Sequence, residues 1–191
     1  MLKNIVWTIV PQSLPTVLRN CPKCGNSSEF ENSGNFRVNA NQNNIDVWLI
    51  YQCRKCKTTW NMDILSRVHS STISKERYIK FMKNDSELAA RYAFDAVIHS
   101  KNKSVLNYEN ISYQIFGEDI VPKEISDSIY IELKCDYPIE IRVDKIISKK
   151  LGVSRELIKE LCKQGKIIGE GIKDIGKAKV KNGMVIVIKP L

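Results

Sequence analysis

The chain has 191 residues, 43% of them apolar, and carries 30 Lys and Arg against 21 Asp and Glu, a net charge of +9. This composition is ordinary for a globular protein, with room for roughly one to three small domains. No apolar run approaches the ~20 residues needed to cross a bilayer, so no membrane partner is expected.

The opening stretch, Met1 to Pro11, alternates apolar and polar residues. It reads as a strand rather than a secretory signal, which places the cysteines in a reducing, cytoplasmic setting. Next come two pairs, Cys21-Pro22-Lys23-Cys24 and Cys53-Arg54-Lys55-Cys56, with 28 residues between them. A C-x-x-C turn aims two thiolates at one point, and two such turns supply the four soft ligands of a tetrahedral metal site. Gly25 suits the tight backbone after the first pair. A redox or disulfide role and plain core cysteines are the competing readings, but two matched pairs favour metal. Four thiolates leave no open coordination position, so the expected cofactor is structural Zn2+ on Cys21, Cys24, Cys53 and Cys56.

Between the pairs, Phe36–Ala40 and Ile45–Gln52 flank a polar tip, Asn41 to Asn44, and predict a hairpin. This hairpin delivers the cysteine pairs side by side, the logic of a zinc ribbon. Trp60, Met62, Ile64 and Val68 predict a third strand, although helical spacing also fits. Residues 1–72 form the expected zinc-ribbon-like domain. Arg37, Asn39, Asn61 and Arg67 are a candidate polar pocket or anion site; the alternative is that they satisfy backbone groups or pair with Asp46 and Asp63. Trp7, Trp48 and Trp60 are expected in the core.

Residues 73–136 read as a connecting region of helices and strands. Helices are predicted from Ser74 to Lys83 and from Ser86 to His99, with Ser74 and Ser86 as N-caps. Asp95 is expected to be structural, and His69 and His99 to be surface or cap residues. Lys101–Ser104 reads as a loop, followed by strands near Ile111–Phe116 and Ser128–Lys134.

Residues 137–191 read as a third domain. From Arg142 onward there are 13 Lys and Arg against 5 Asp and Glu. Val143, Ile146, Ile147 and Leu151 repeat at helical spacing, and Gly152 stops the helix. Ser154 caps a second helix with Leu157, Ile158, Leu161 and Cys162 inward, ending at Gly165. The strand Met184–Ile188 closes the unit. Lys145 and Lys149, then Arg155, Lys159 and Lys163, step at i, i+4 and are expected to share a solvent face with Lys150 nearby. Such a face suits a polyanion, with Arg155 free to grip a phosphate beside exposed helix N–H groups. Cys135 and Cys162 read as inert core thiols.

The segments Arg142–Ile147, Leu151–Arg155, Leu161–Ile167 and Asn182–Val187 resemble the S4 RNA-binding domain, over about the last 50 residues. The chain departs from that pattern at Met184, where the family usually has an acidic residue. The resemblance implies a helix pair and small sheet, with RNA contacts falling to Arg142, Lys145, Lys149, Arg155, Lys159 and Lys163. The whole chain resembles a bacterial family of uncharacterised proteins that joins a zinc-ribbon-like N-terminus to an S4-like C-terminus. Cys21, Cys24, Phe36–Asn41, Asp46–Tyr51, Cys53, Cys56 and Thr59–Asn61, with Arg67, carry that resemblance. The expected fold is therefore α+β: an N-terminal zinc ribbon of antiparallel hairpins, central helices, and a C-terminal S4-like helix pair with a small sheet.

Three functions stay open. Non-catalytic binding of structured RNA, ribosomal or transfer, is the leading expectation. A zinc-ribbon adapter for a protein partner and an RNA-modifying enzyme are the alternatives. S4 domains accompany pseudouridine synthases, but nothing here resembles their catalytic aspartate loop. There is no glycine-rich phosphate loop, and no catalytic residue is assigned.

Overall fold

The computed structural model describes residues 3–190; Met1, Leu2 and Leu191, the outer ends of the expected first and last segments, lie outside the described residues. The chain divides into two compact units, one made of residues 1–12 with 112–191 and the other of residues 13–111. The second unit is thus an insertion in the first.

The inserted unit is built on a five-stranded antiparallel sheet. Its strands are β2 (Thr16–Asn20), β3 (Ser27–Asn41), β4 (Asn44–Cys53), β5 (Thr59–His69) and β6 (Val105–Asn107). They lie in the order β5-β4-β3-β2-β6. The β3–β4 hairpin is the one the sequence predicts, with a tighter tip at Gln42 and Asn43 because Asn41 pairs with Asn44. Residues 59–69 are strand, which resolves the ambiguity in their periodicity.

On β4 the odd positions Ile45, Val47, Leu49, Tyr51 and Cys53 are buried, while the even positions face outward. The buried face packs with Phe36, Met62, Phe81 and Tyr92. Phe36 and Phe81 meet edge to face at 5.1 Å between centroids. Phe81 and Tyr92 belong to the short helices α1 (Lys75–Met82) and α2 (Ser86–Ala93).

The helices depart from expectation in two places. Ser74 caps α1 as predicted. The cap of α2, however, is Asp85, whose Oδ1 accepts the Leu88 N–H at 2.8 Å, and Ser86 is the first helical residue. The expected long helix also stops at Ala93, and a separate α3 (Ala96–Lys101) starts beyond it. Asp95 marks the break: its carboxylate accepts the N–H groups of Val97 and Ile98, capping a new helix. His99 is not on the surface. It is buried, with Nδ1 2.9 Å from Ser104 Oγ and Nε2 3.2 Å from the Ala93 carbonyl. His69 does act as a cap, at the turn after β5.

The other unit has a mixed five-stranded sheet in the order β7-β1-β8-β10-β9. Its strands are β1 (Lys3–Pro11), β7 (Tyr113–Phe116), β8 (Ile129–Lys134), β9 (Ile167–Gly169) and β10 (Met184–Ile188). β1 runs parallel to β8 and antiparallel to β7. Ile5, Trp7 and Ile9 of β1 are buried, as are Ile131, Leu133, Ile186 and Ile188. The helices α4 (Val143–Leu151) and α5 (Arg155–Lys163) add Val143, Ile146, Ile147, Leu151 and Ile158 to this core. Gly152 ends α4 in the left-handed region at φ 66°, and the Ser154 side chain caps α5. Leu157, expected inward, is exposed.

The α+β class therefore holds, with two sheets and five α-helices among the described residues. The sequence division at residues 72 and 136 differs from these units. Residues 72 and 73 fall inside the insertion, and β1 pairs with strands beyond residue 112. Periodicity reveals that a segment is a strand but not which distant strand it joins.

Candidate metal centre and basic face

The two cysteine pairs sit in turns with the same backbone pattern. In the first, Cys21 N–H donates to Asn26 O at 3.0 Å and Gly25 N–H to Cys21 O at 2.9 Å. In the second, Cys53 N–H donates to Thr58 O at 2.9 Å and Lys57 N–H to Cys53 O at 2.9 Å. The residue after each second cysteine takes positive φ, 71° at Gly25 and 60° at Lys57. The first turn follows β2, and the second joins β4 to β5. The pairing of β2 with β3 and of β3 with β4 brings the turns together.

The four sulfurs lie within 4.8 Å of one another. Cys21 Sγ is 3.4 Å from Cys56 Sγ, and Cys24 Sγ is 3.9 Å from Cys53 Sγ. Sulfurs bound tetrahedrally at about 2.3 Å would stand about 3.8 Å apart, so the cluster has the dimensions of a metal cage. The donor set fits a soft or borderline ion. Cys21 and Cys53 are also buried in the same core as Phe30, Tyr51 and Met62.

Neighbouring groups shift the thiols in opposite directions. The Cys56 N–H, opposed by burial and helped by the Lys55 N–H, draws the Cys53 thiol down. The Thr58 hydroxyl and backbone N–H draw Cys56 down to about 6. Hydrogen bonding to Cys56, then burial, pushes Cys24 up to about 12, so a bound metal displaces protons here. The second turn is tethered to β3: Arg54 donates its N–H to Glu29 O at 2.9 Å and its guanidinium to Glu29 Oε2 at 2.7 Å. Cys135 is buried and Cys162 half-buried, with burial pushing the Cys162 thiol up to about 11.

Arg37, Asn39, Asn61 and Arg67 are all exposed and spread along β3 and β5. Arg37 lies opposite Trp48, its guanidinium 5.7 Å from the ring, and Trp48 in turn is opposite Asp63. Asn39 is opposite Asp46, whose Oδ1 accepts the Arg67 N–H at 2.7 Å. Trp7 is fully buried. Trp48 is half-buried on the outward-facing row of β4, and Trp60 is half-buried beneath Arg19, whose guanidinium lies 3.9 Å from its ring.

On the helix pair, Lys145, Lys149, Lys159 and Lys163 are exposed. Lys145 and Lys149 stand 5.4 and 5.5 Å from the Tyr113 ring. The two arginines expected beside them are committed elsewhere. Asp144 is fully buried, and Arg142 and Arg155 both bind its Oδ2 at 2.9 Å. Arg142 also donates to Gly176 O at 2.8 Å, and Arg155 Nε is buried without a partner. The expectation that Arg155 is free for a phosphate is therefore corrected: its guanidinium locks α5 to α4. Lys150 also turns inward, donating to Gly117 O at 2.7 Å and Asp119 Oδ1 at 2.5 Å.

Two contributors escaped the sequence reading. Asn84 takes φ 52° after α1 while its Oδ1 accepts the Phe36 N–H at 2.7 Å, across the irregular stretch of β3. An asparagine directly after a helix was the available signal. Asp144 sits between the inward positions Val143 and Ile146, and an acid there implies buried basic partners.

Among the described residues, no helix is long and apolar enough to cross a membrane. No curated protein and no solved structure matches this chain. A family model described as protein of unknown function (DUF1062) matches residues 38–172. The match takes in Cys53, Cys56, the β3–β4 hairpin from Val38, and both helices α4 and α5; it starts after Cys21 and Cys24. Since it spans most of the sequence and runs through both units, the chain belongs to the DUF1062 family.

Proposed function

We propose that this protein binds structured RNA without catalysis, through an S4-like α4–α5 pair, and that its inserted unit is a zinc-ribbon-like module built around a structural Zn2+. The observation that carries the RNA reading is the solvent face of the helix pair. Lys145, Lys149, Lys159 and Lys163 are exposed there, while Val143, Ile146, Ile147, Leu151 and Ile158 are buried in the core. Exposed lysines on both helices offer point charges to phosphates, and the Asp144 clamp holds the two helices in register.

The test is a salt titration of binding to a stem-loop RNA. Lys149→Ala and Lys163→Ala should each weaken binding and lower the log–log salt slope by roughly one counterion. Unchanged affinity in both variants, with intact thermal melts, would overturn the reading in favour of a protein adapter.

The zinc reading rests on the four-sulfur cluster, with zinc chosen over iron because the expected role is structural and needs no redox chemistry. Purified protein should carry one zinc per chain by elemental analysis. Cys53→Ser should release it and lower the melting temperature, because metal binding and folding are coupled in such modules. A metal-free protein with the same unfolding transition would refute this.

A further inference from the structure

We infer that the cleft between α5 and the 167–177 segment takes an unstacked nucleotide, so that the protein grips RNA at a bulge, loop or end. The inference rests on the RNA reading above and adds a subsite that the helix-pair pattern does not contain. The cleft has a volume of about 950 Å3. That is at the upper end of the ~300–1,000 Å3 typical of small-ligand sites.

Its rim and its floor differ in character. Lys159 and Lys163 of α5 line one side, and Lys173 and Lys177 the other. The only carboxylate among the lining residues, Asp174, is held by Lys177 at 3.2 Å. Lys159, Lys163 and Lys173 are exposed and make no ion pair among the described residues. The floor is apolar: Ile167, Ile168, Ile172 and Ile175, with the Cys162 thiol. This floor is built rather than accidental. A Cβ at Gly169 would stand 2.7 Å from Ile175 Cδ1 and 3.0 Å from Ile172 Cδ1, so glycine there lets the two isoleucines seat against the strand. Ile168 remains exposed at 39%.

An apolar floor with three unpaired ammonium groups on its rim matches a flat base carried on a charged backbone. A phosphate or a peptide carboxylate alone would leave the isoleucines unused. A perfect duplex presents its phosphates on a convex surface and keeps its base faces stacked inside, so it cannot enter such a cleft. Sequence-selective RNA recognition is concentrated at bases that are already unstacked. The division of labour follows: Lys145 and Lys149 meet the backbone of a stem, while the cleft receives the nucleotide that leaves it.

Two measurements test this on the full-length, zinc-loaded protein. In the first, lysine acetylation is mapped by mass spectrometry with and without a stem-loop RNA carrying a single bulged nucleotide. Lys159, Lys163 and Lys173 should be protected at least as strongly as Lys145 and Lys149. In the second, binding of that RNA is compared with binding of the same stem without the bulge. Wild-type protein should prefer the bulged form about threefold or more, on the scale of one apolar base contact. Lys173→Ala should lower the salt slope by about one. Ile168→Ser should erase the bulge preference with the salt slope unchanged. Both side chains are exposed, so folding is not at stake. RNA binding with protection confined to Lys145 and Lys149, or a bulge preference that survives Ile168→Ser, overturns the cleft and leaves the RNA reading standing. Absence of binding to either RNA overturns both.

Discussion

At the scale of single residues, the two metal turns offer a comparison the chain makes with itself. They share one hydrogen-bond pattern, yet the positive-φ position is Gly25 in one and Lys57 in the other. A side chain in the left-handed region costs about 1–2 kcal/mol. Lys57→Gly should therefore stabilise the zinc-loaded protein by up to about 1 kcal/mol, since the lost contact to Glu31 is an exposed ion pair of small worth. Gly25→Ala should cost about 1 kcal/mol, although nothing would crowd its Cβ. Urea midpoints of both variants check the pair, and equal shifts in the same direction would contradict the account. Asp144 is the second sensitive residue. Asp144→Ala leaves two guanidiniums facing a dry site, one with its Nε already unpartnered. The expected loss is roughly 2–4 kcal/mol, below the full cost of a buried pair because the arginines are 40% exposed. For the same reason Arg155→Ala should lower stability, which makes it a poor probe of RNA contact.

At the scale of elements, the strands with strong alternation were legible, and so were the helices with matched caps. The β3–β4 hairpin, α1, α4, α5 and β10 follow from apolar spacing and from Ser74, Gly152 and Ser154, while the spacing of β5 also fitted a helix. The cluster of four cysteines was also legible, because a C-x-x-C turn fixes its own geometry. What failed to show was a choice between two local alternatives, or anything decided by a distant partner. The stretch from Ser86 to His99 has continuous helical periodicity, and only the choice of Asp95 to cap a new helix divides it. β6 is three residues long and exists because β2 offers it an edge. The same break buries His99, and a pH dependence follows. Burial lowers the pKa of its imidazole, with partial compensation from the Ala93 carbonyl and Asp95. A base with a depressed folded pKa contributes its stability in full above the unfolded value, near 6.5, and loses it as pH falls toward the folded value. The urea midpoint should therefore drop as pH is lowered from about 7.5 to 5.5, and His99→Gln should flatten that slope at constant zinc content. An NMR titration placing His99 at or above the ordinary imidazole value near 6.5 would refute this.

At the scale of the whole molecule, the outer unit is interrupted by the inner one at a single point. Gln12 N–H donates to Ser112 O at 2.8 Å, directly beyond the Pro11–Tyr113 register pair. Replacing residues 13–111 by a two-residue Asn-Gly turn should therefore join β1 to β7 as an ordinary hairpin. The shortened protein should melt cooperatively and keep most of the RNA affinity; a molten product would show that the outer unit depends on its insertion. A fragment starting near Tyr137 lacks β1 and β8, leaves β10 without its central neighbour, and should not fold. Sequence order hid this arrangement, because charge and motif content both suggested beads on a string. The arrangement also has a consequence in time. During synthesis β1 emerges before the inserted unit, yet its partners β8 and β7 come after it. The middle of the chain can therefore collapse, acquire its metal and become protease-resistant while the first strand waits as an unpaired, Ile- and Val-rich edge, the kind that invites aggregation. Ribosome-bound chains halted far enough beyond Ile111 to free that residue from the exit tunnel should already show zinc-dependent protection of residues 13–111, with β1 still open to chaperones until β8 has emerged. Protection of β1 at that earlier length would disprove the sequence of events.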